Sequence, residues 1–288
     1  MYNVSGENAT HRSDVACNVS TGKQMNTINK KQHPSVEFFD TFSDVYNEIR
    51  PAYNEEVYHA ISAFLKPGPT YKILEIGAGN GIATERINEI WKPELTLLEP
   101  GKNLSRLLNE KFGSEPNIKI INDYFESAEL ENDYFDAVVS ATSFHWLNSE
   151  TKFTKYHKLL KENGLLIVFW NNFLVDNPDL STEIQEIYSV HTGSKLEKSI
   201  GEIQSEKIEN RKNEIINSEL FELLSHRIFT TKVQFTGTEY IKLLKTFPDH
   251  AAFSYAFFAE MESVIENHNN RVAVRITLNL DIARKKSR

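Results

Sequence analysis

The sequence predicts a doubly wound α/β sheet, and three observations carry that reading. Residues 72–81 (KILEIGAGNG) run from a short apolar strand, Ile73, Leu74 and Ile76, into Gly77, Gly79 and Gly81, and then into a helical pattern of Ile82, Ala83, Ile87 and Ile90. Downstream, short apolar runs alternate with helix-period stretches, as the strands and crossover helices of a parallel sheet do. Near the end of the chain, Arg271–Ile282 places apolar residues at every second position, the period of a half-buried strand.

Taken in order, residues 1–33 are polar, with no apolar stretch of the kind a signal peptide needs, and are expected to be a disordered tail. Their Asn-x-Ser/Thr triplets at Asn3, Asn8 and Asn18 are read as chance in an Asn/Ser/Thr-rich tail, and Met25 is an alternative start. Val36, Phe38, Phe39, Phe42, Val45, Tyr46 and Ile49 recur at helical spacing, and Arg50-Pro51 ends that helix because the residue before proline is forced out of the helical region. A second helix carries Val57, Ala60, Ile61, Phe64 and Leu65 and stops at Lys66-Pro67-Gly68-Pro69. The further strands are Leu95–Glu99, Ile118–Asn122, Asp136–Ala141, Leu165–Trp170 and Phe229–Phe235, with helices through Leu104–Leu108 and 150–162 between them. Residues 175–228 read as a helical insertion whose charge run, Glu202 to Glu214, forms a solvated face. Further helices are expected at 237–247 and 250–267, the latter holding a core-type cluster of Phe253, Tyr255, Phe257 and Phe258. The domains expected are a tail (1–33), a core (34–174 and 229–288) with lid helices at 34–66, and a cap (175–228).

At 288 residues and 40% hydrophobic, the chain is long enough for one sizeable core and an added subdomain. A net charge of −8 argues against a general nucleic-acid binder, whose affinity comes from cationic contacts to phosphate. No apolar run approaches a membrane span. The one cysteine, Cys17, has no partner for an internal disulfide, which fits a reducing cytoplasm.

The glycine stretch is not the dinucleotide fingerprint G-x-G-x-x-G, because Ile82 stands where the third glycine belongs. Nor is it a phosphate-binding loop of the Gly-Lys-Ser/Thr type. Strand, glycine turn and helix still bring backbone N–H groups close to a ligand. Glu99 ends the second strand 20 residues after Gly79, where a carboxylate accepts from ribose hydroxyls and repels a 2′-phosphate. Pro100 offers apolar contact beside it. Asp123 ends the third strand, with Tyr124 and Phe125 following, a set able to accept from an adenine amino group and flank the base. Ala141 to Trp146 leaves the carboxyl end of the fourth strand. There His145 is able to take a proton, being near neutral when unperturbed, and Phe144 and Trp146 line an acceptor pocket. The packing-only reading of His145, Phe144 and Trp146 stands beside this one. No Cys/His spacing supports a metal.

Glu75 followed by Gly77, Ala78, Gly79 and Gly81 resembles motif I of the class I S-adenosylmethionine (SAM)-dependent methyltransferases. YNEIRPAYN (46–54) resembles the Y-x-x-x-R-P-x-Y-P segment of the trans-aconitate and type-11 methyltransferases, and residues 122–148 resemble the adenine loop, fourth strand and post-strand motif of that family. The resemblance covers roughly residues 36–286. It implies a Rossmann-like seven-stranded, mostly parallel sheet with an antiparallel last strand, a helical cap, SAM as cofactor, and Tyr46 and Arg50 near the cofactor's carboxylate. Asn54 replaces the motif's final proline, which puts the local backbone in question. Asp136 is read as structural. The loop lacks the Asn/Asp-Pro-Pro-aromatic motif of amino-group methyltransferases that act on bases or glutamine, and Cys17 is out of place for a base-carbon methyltransferase, so a small organic acceptor is expected, methylated on a carboxylate or hydroxyl oxygen, with no nucleic-acid or membrane partner. Glu99 alone does not separate SAM from NAD. An NAD-dependent oxidoreductase and a non-catalytic SAM-binding protein remain the alternatives at this point.

Overall fold

The structure, a computed structural model, describes residues 34–41, 48–65, 68–193 and 198–287. The expected tail, with Cys17 and Met25, and the helix positions Phe42, Val45 and Tyr46 lie outside the described residues. Among the described residues, seven strands form one sheet: β1 (Lys72–Ile76), β2 (Glu94–Leu98), β3 (Ile118–Ile121), β4 (Phe135–Ala141), β5 (Leu160–Val175), β6 (Phe221–Thr236) and β7 (Arg271–Lys285). Their order is β3-β2-β1-β4-β5-β7-β6. Strands β1 to β5 are parallel, with Ile73 beside Leu95 on one side and Ala137 on the other. β7 runs antiparallel to both neighbours, pairing Phe169 with Leu280 and His226 with Asp281.

The helices are α1 (Pro34–Thr41), α2 (Glu55–Ser62), α3 (Ile82–Trp91), α4 (Lys102–Phe112), α5 (Lys152–Leu159), α6 (Pro178–Thr192), α7 (Ile200–Asn217), α8 (Gly237–Lys245) and α9 (Tyr255–Asn267). Strand alternation divides the core into two faces. Ile73, Val139, Ile167 and Phe169 face α2 and α3 through Val57, Ile61, Ile87 and Trp91. Leu74, Val138, Leu166, Val168 and Trp170 face α5 and α7 through Tyr156, Leu159, Ile208 and Ile215. Each such side chain, fully removed from water, contributes about 1.5–3 kcal/mol of burial free energy. Asp136 ties the sheet together: its carboxylate accepts from the Lys72 N–H (2.8 Å) and from Lys161 Nζ (2.8 Å).

Beyond the carboxyl ends of β1 to β4, the sheet continues as a three-stranded ribbon of β5, β7 and β6. Phe173, Phe235, Val272, Val274 and Ile276 on this ribbon hold a second apolar cluster with α6, α8 and α9. Caps at their N-termini fix these helices. The Asn177 side chain accepts from the N–H groups of Asp179 and Leu180, and Thr236 with Glu239 forms a capping box on α8.

The division into core and cap therefore differs from the sequence-based one. Within 175–228, α6 belongs to the second cluster, but α7 lies on the main sheet, burying Gln204, Ile208, Arg211 and Ile215. The second cluster also recruits α8 and α9 from between β6 and β7. β6 starts at Phe221, ahead of the expected Phe229, and β5 extends to Val175, past the expected Trp170, because both strands build the ribbon. In the aromatic group of α9, Phe257 is buried and stacks on Phe253 (3.9 Å), whereas Tyr255 faces solvent. No helix among the described residues is long and apolar enough to cross a membrane.

Candidate functional site

The carboxyl edge of β1, β2 and β4 is where a doubly wound sheet opens a crevice, at the point where strand order reverses. The turn after β1 has Gly77, Gly79 and Gly81 all at positive φ (65°, 61° and 86°), a backbone that L side chains rarely adopt. Two of the three glycines are also required by packing. A Cβ on Gly77 would sit 2.6 Å from Ser143 Cβ, and one on Gly81 would sit 2.5 Å from the Phe112 ring. Gly79 is different: among the described residues a Cβ there meets nothing within 4 Å, so none of them closes this side of the turn. Gly77 and Ala78 donate their N–H groups to Leu98 O (2.8 and 3.3 Å), which seats the turn on the end of β2.

Glu99 follows β2 and is 4% exposed. Its Oε2 accepts from the Gly79 N–H and its Oε1 from the Gly101 N–H, both at 2.8 Å. Burial pushes its pKa up to about 7, opposed by those two N–H groups and reinforced by the charge of Asp40. Glu75, inside β1 and 1% exposed, points into the protein and accepts from Thr84 Oγ1 (2.7 Å). Burial pushes it up to about 8, with the Thr84 hydrogen bond lowering it and Glu99 raising it. The expected cofactor ligand Glu75 is thus the anchor of α3 beneath the turn.

After β4, Thr142 adopts φ +64°, a left-handed conformation unusual for a β-branched residue and a frequent mark of a functional loop. Its N–H donates to Phe169 O (2.8 Å) and its Oγ1 shares a hydrogen bond with Tyr53 OH (2.8 Å). Ser143 joins the two loops, its hydroxyl donating to Ile76 O and lying 2.6 Å from Ser140 Oγ. His145 and Trp146 follow on a short 3-10 turn, half-buried, with rings 4.7 Å apart. Burial, and then the charges of Arg211, Lys152 and Lys207, hold the His145 pKa well below its usual value, so its imidazole is neutral at physiological pH.

The other expected residues fall in varied places. Asp123 is half-buried and accepts from the Tyr124 N–H (2.8 Å) and Ser127 Oγ (2.6 Å). Pro100 and Tyr124 are half-buried at the same edge. Ala141 is buried at the end of β4. Phe125 and Phe144, expected at the base and the acceptor, are core residues packed on Tyr156 (5.1 and 6.3 Å). Arg50 reaches the second cluster: Nε donates to Thr246 Oγ1 (2.8 Å), Nη2 to Thr246 O (3.1 Å), and the guanidinium lies 4.0 Å from the Phe247 ring centre. Tyr46 lies outside the described residues. Asn54 has φ −56°, within the range proline holds, so the local backbone suits the missing proline, and its side chain caps α2 by accepting from the Glu56 N–H (2.8 Å).

Three residues enter the site that were not singled out from the sequence. Tyr53 had a signal, being the second tyrosine of the YNEIRPAYN segment. Thr142 and Asp40 had none, because a left-handed threonine and a cap formed across 63 residues leave no local pattern. Among the described residues, no group of three or more His, Cys, Asp or Glu is placed to hold a metal ion.

The chain is similar in sequence and in fold to known methyltransferases. The family model described as ribosomal RNA adenine dimethylase matches residues 52–173, less than half of the chain. An uncharacterized methyltransferase of Schizosaccharomyces pombe is 29% identical over 126 residues, 44% of this chain and 49% of that protein. Malonyl-[acyl-carrier protein] O-methyltransferase 2 of Ilyobacter polytropus is 29% identical over 99 residues, 34% of this chain and 38% of that protein. The chain spans about half the length of the curated relatives it matches first. Among solved structures, a candidate type II methyltransferase from Anaeromyxobacter dehalogenans has a TM-score of 0.61 at 12% identity, covering 82% of this chain and 97% of that one. A candidate methyltransferase from Bacillus halodurans has a TM-score of 0.53 at 11% identity, covering 81% and 100%. These structures share the fold.

Proposed function

Taking the chain as a class I SAM-dependent methyltransferase by fold and core sequence, we propose that it transfers a methyl group from SAM to a small organic acceptor, on a carboxylate or hydroxyl oxygen. The observation that carries this reading is one junction: the open side of Gly79, the Glu99 carboxylate bonded to its N–H, and the Thr142–Trp146 loop held against Gly77 by Ser143.

The residues fit the cofactor. A Cβ at Gly79 would fill space that none of the described residues occupies, and the Glu99 carboxylate, when ionised, is an acceptor that matches ribose hydroxyls. The turn from Gly77 to Gly81 would hold the methionyl part, Glu99 the ribose, and Asp123 with Tyr124 the adenine edge. The strand order argues against the nicotinamide alternative, whose sheet follows 3-2-1-4-5-6, whereas here β7 enters antiparallel between β5 and β6.

When bound, SAM supplies a methyl group already activated on a cationic sulfur. The work left to the protein is alignment, where effective molarity contributes on the order of 7–11 kcal/mol. Glu99 and the glycine turn orient one partner, and the Thr142–Trp146 loop orients the other. A neutral, hard-to-protonate His145 is a weak base, which favours an acceptor already ionised, a carboxylate, over an alcohol.

We place the chain with the trans-aconitate and type-11 enzymes on the strength of YNEIRPAYN, and in the cytoplasm on its single cysteine. An RNA acceptor is the second reading, favoured by the family match over residues 52–173. Against it stand the net charge of −8 and the absence of Pro-Pro-aromatic after β4. The test is titration calorimetry with SAM, followed by measurement of S-adenosylhomocysteine with a panel of small carboxylates, alcohols and a short RNA. Micromolar SAM binding and turnover with a small acceptor support the proposal. Turnover with RNA alone assigns the second reading, and SAM binding without any product assigns a binding protein.

A further inference from the structure

Helix α1 lies across the crevice just described and touches both of its walls. On one side, Asp40 Oδ1 accepts from the N–H groups of Asn103 (2.6 Å) and Leu104 (3.1 Å), the first turn of α4. The Asp40 carbonyl also accepts from Asn103 Nδ2 (3.2 Å). On the other side, the Phe39 ring meets Trp146 edge-on at 5.8 Å, and α1 packs on the 3-10 turn Pro248–His250 beneath the second cluster. These contacts hold α1 between the N-terminus of α4, after β2, and the Trp146 turn, after β4.

The pin sits beside the acid assigned to the ribose. A Cβ on Gly101 would lie 2.9 Å from Asp40 Oδ1 and 3.1 Å from Glu99 Oε1, so both carboxylates converge on one backbone position. Asp40 caps α4 across 63 residues of sequence, where the N-cap residue itself, Gly101, has no side chain to do so.

We infer that Asp40 is the latch of a cofactor lid: its carboxylate pins α1 to the N-terminus of α4 over the nucleoside position, and its charge, set beside Glu99, couples closure to cofactor binding. The inference rests on the SAM reading above. Asp40 acts through Glu99 and α1 and is a positioning residue. The cap stabilises the closed lid because an Asp at a helix N-terminus satisfies orphan N–H groups and meets the positive end of the helix dipole. The carboxylates bearing on Glu99 are Asp40 from α1 and Glu75 from β1, with the N–H groups of Gly79 and Gly101 opposing them. Glu99 accepts from ribose hydroxyls best when ionised, so SAM affinity is greatest above about pH 7 and falls as pH drops through that value.

Two substitutions separate cap from charge. D40A removes both. In the cofactor-free protein, hydrogen exchange of the α1 amides and of Asn103 and Leu104 should accelerate at least tenfold, and stopped-flow dissociation of S-adenosylhomocysteine should speed up by a similar factor. D40N keeps an acceptor oxygen for the cap while removing the charge. Exchange should stay near wild type, while the acid limb of SAM binding moves to lower pH by about 0.5 units or more, the direction a lost neighbouring carboxylate dictates. Wild-type exchange and dissociation in D40A would overturn the latch, and an unmoved acid limb in D40N would overturn the coupling. Absence of SAM binding by the wild-type protein would overturn the proposed function as well, which distinguishes the two failures.

Discussion

Substituting each glycine of the β1 turn by alanine separates its structural duty from its ligand duty. All three alanines would hold a left-handed φ, at a cost of about 1–2 kcal/mol each. For G77A the new methyl lies 2.6 Å from Ser143 Cβ, a half-buried contact with no flexible end to yield, so overpacking adds about 1–3 kcal/mol. For G81A it lies 2.5 Å from the Phe112 ring and 3.1 Å from Leu108 Cδ2, with a similar addition. For G79A none of the described residues lies within 4 Å, and the backbone cost stands alone. Urea unfolding should therefore rank G79A as the mildest, at about 1–2 kcal/mol, against roughly 2–5 kcal/mol for the other two. Calorimetry should reverse that ranking for ligand: the G79A methyl projects into the space assigned to SAM and should weaken binding at least tenfold, about 1.4 kcal/mol or more. If G79A binds SAM as the wild type does, the open side of the turn is not the cofactor side. If it loses as much stability as G77A, the packing argument fails.

Glu75→Gln tests burial of the motif I acid. Its carboxyl titrates near 4.5 when unfolded and is pushed up to about 8 when folded, so across that window the native state holds one more proton and wild-type stability falls as pH rises. The slope is about 1.4 kcal/mol per pH unit for one group, and denaturation of the Gln variant from pH 5 to 8 should show it reduced by that amount. An unchanged slope would place the Glu75 proton elsewhere. His145→Ala should lower turnover with a hydroxyl acceptor, leave it nearly unchanged with a carboxylate, and leave SAM affinity intact. Turnover by the variant equal to that of the wild type with both acceptors would confine His145 to packing. Arg50→Ala removes two hydrogen bonds to Thr246 and a stack on Phe247 and should cost about 1.5–3 kcal/mol on urea unfolding, the range for hydrogen bonds made by a charged group. Loss of SAM affinity without loss of stability would instead place the guanidinium at the cofactor.

What could be read from the residues was whatever repeats at short range. Ile73, Leu74 and Ile76 breaking into Gly77, and the alternation from Val272 to Ile282, declare strands because side chains on a pleated backbone alternate between two faces. At Arg50-Pro51 the chain leaves the helical conformation, as expected, because that restriction acts through adjacent atoms. The acids of the α7 charge run face water, as expected of a solvated face, but the same helix buries a stripe that carries polar residues: Gln204 donates to Phe173 O (2.9 Å) and Arg211 stacks on Trp170 at 4.5 Å.

Sequence alone determined that this chain folds as a strand–turn–helix sheet with a glycine turn at its edge and an acid, Glu99, ending the next strand, because those features depend on neighbours a few bonds apart. Only the tertiary structure decided what each polar side chain meets. It turned Glu75 inward to Thr84, buried Phe125 and Phe144 in the core, sent Arg50 to Thr246 and brought Asp40 over α4. Those outcomes are set by which surfaces lose water together, and that depends on contacts between segments far apart in the chain.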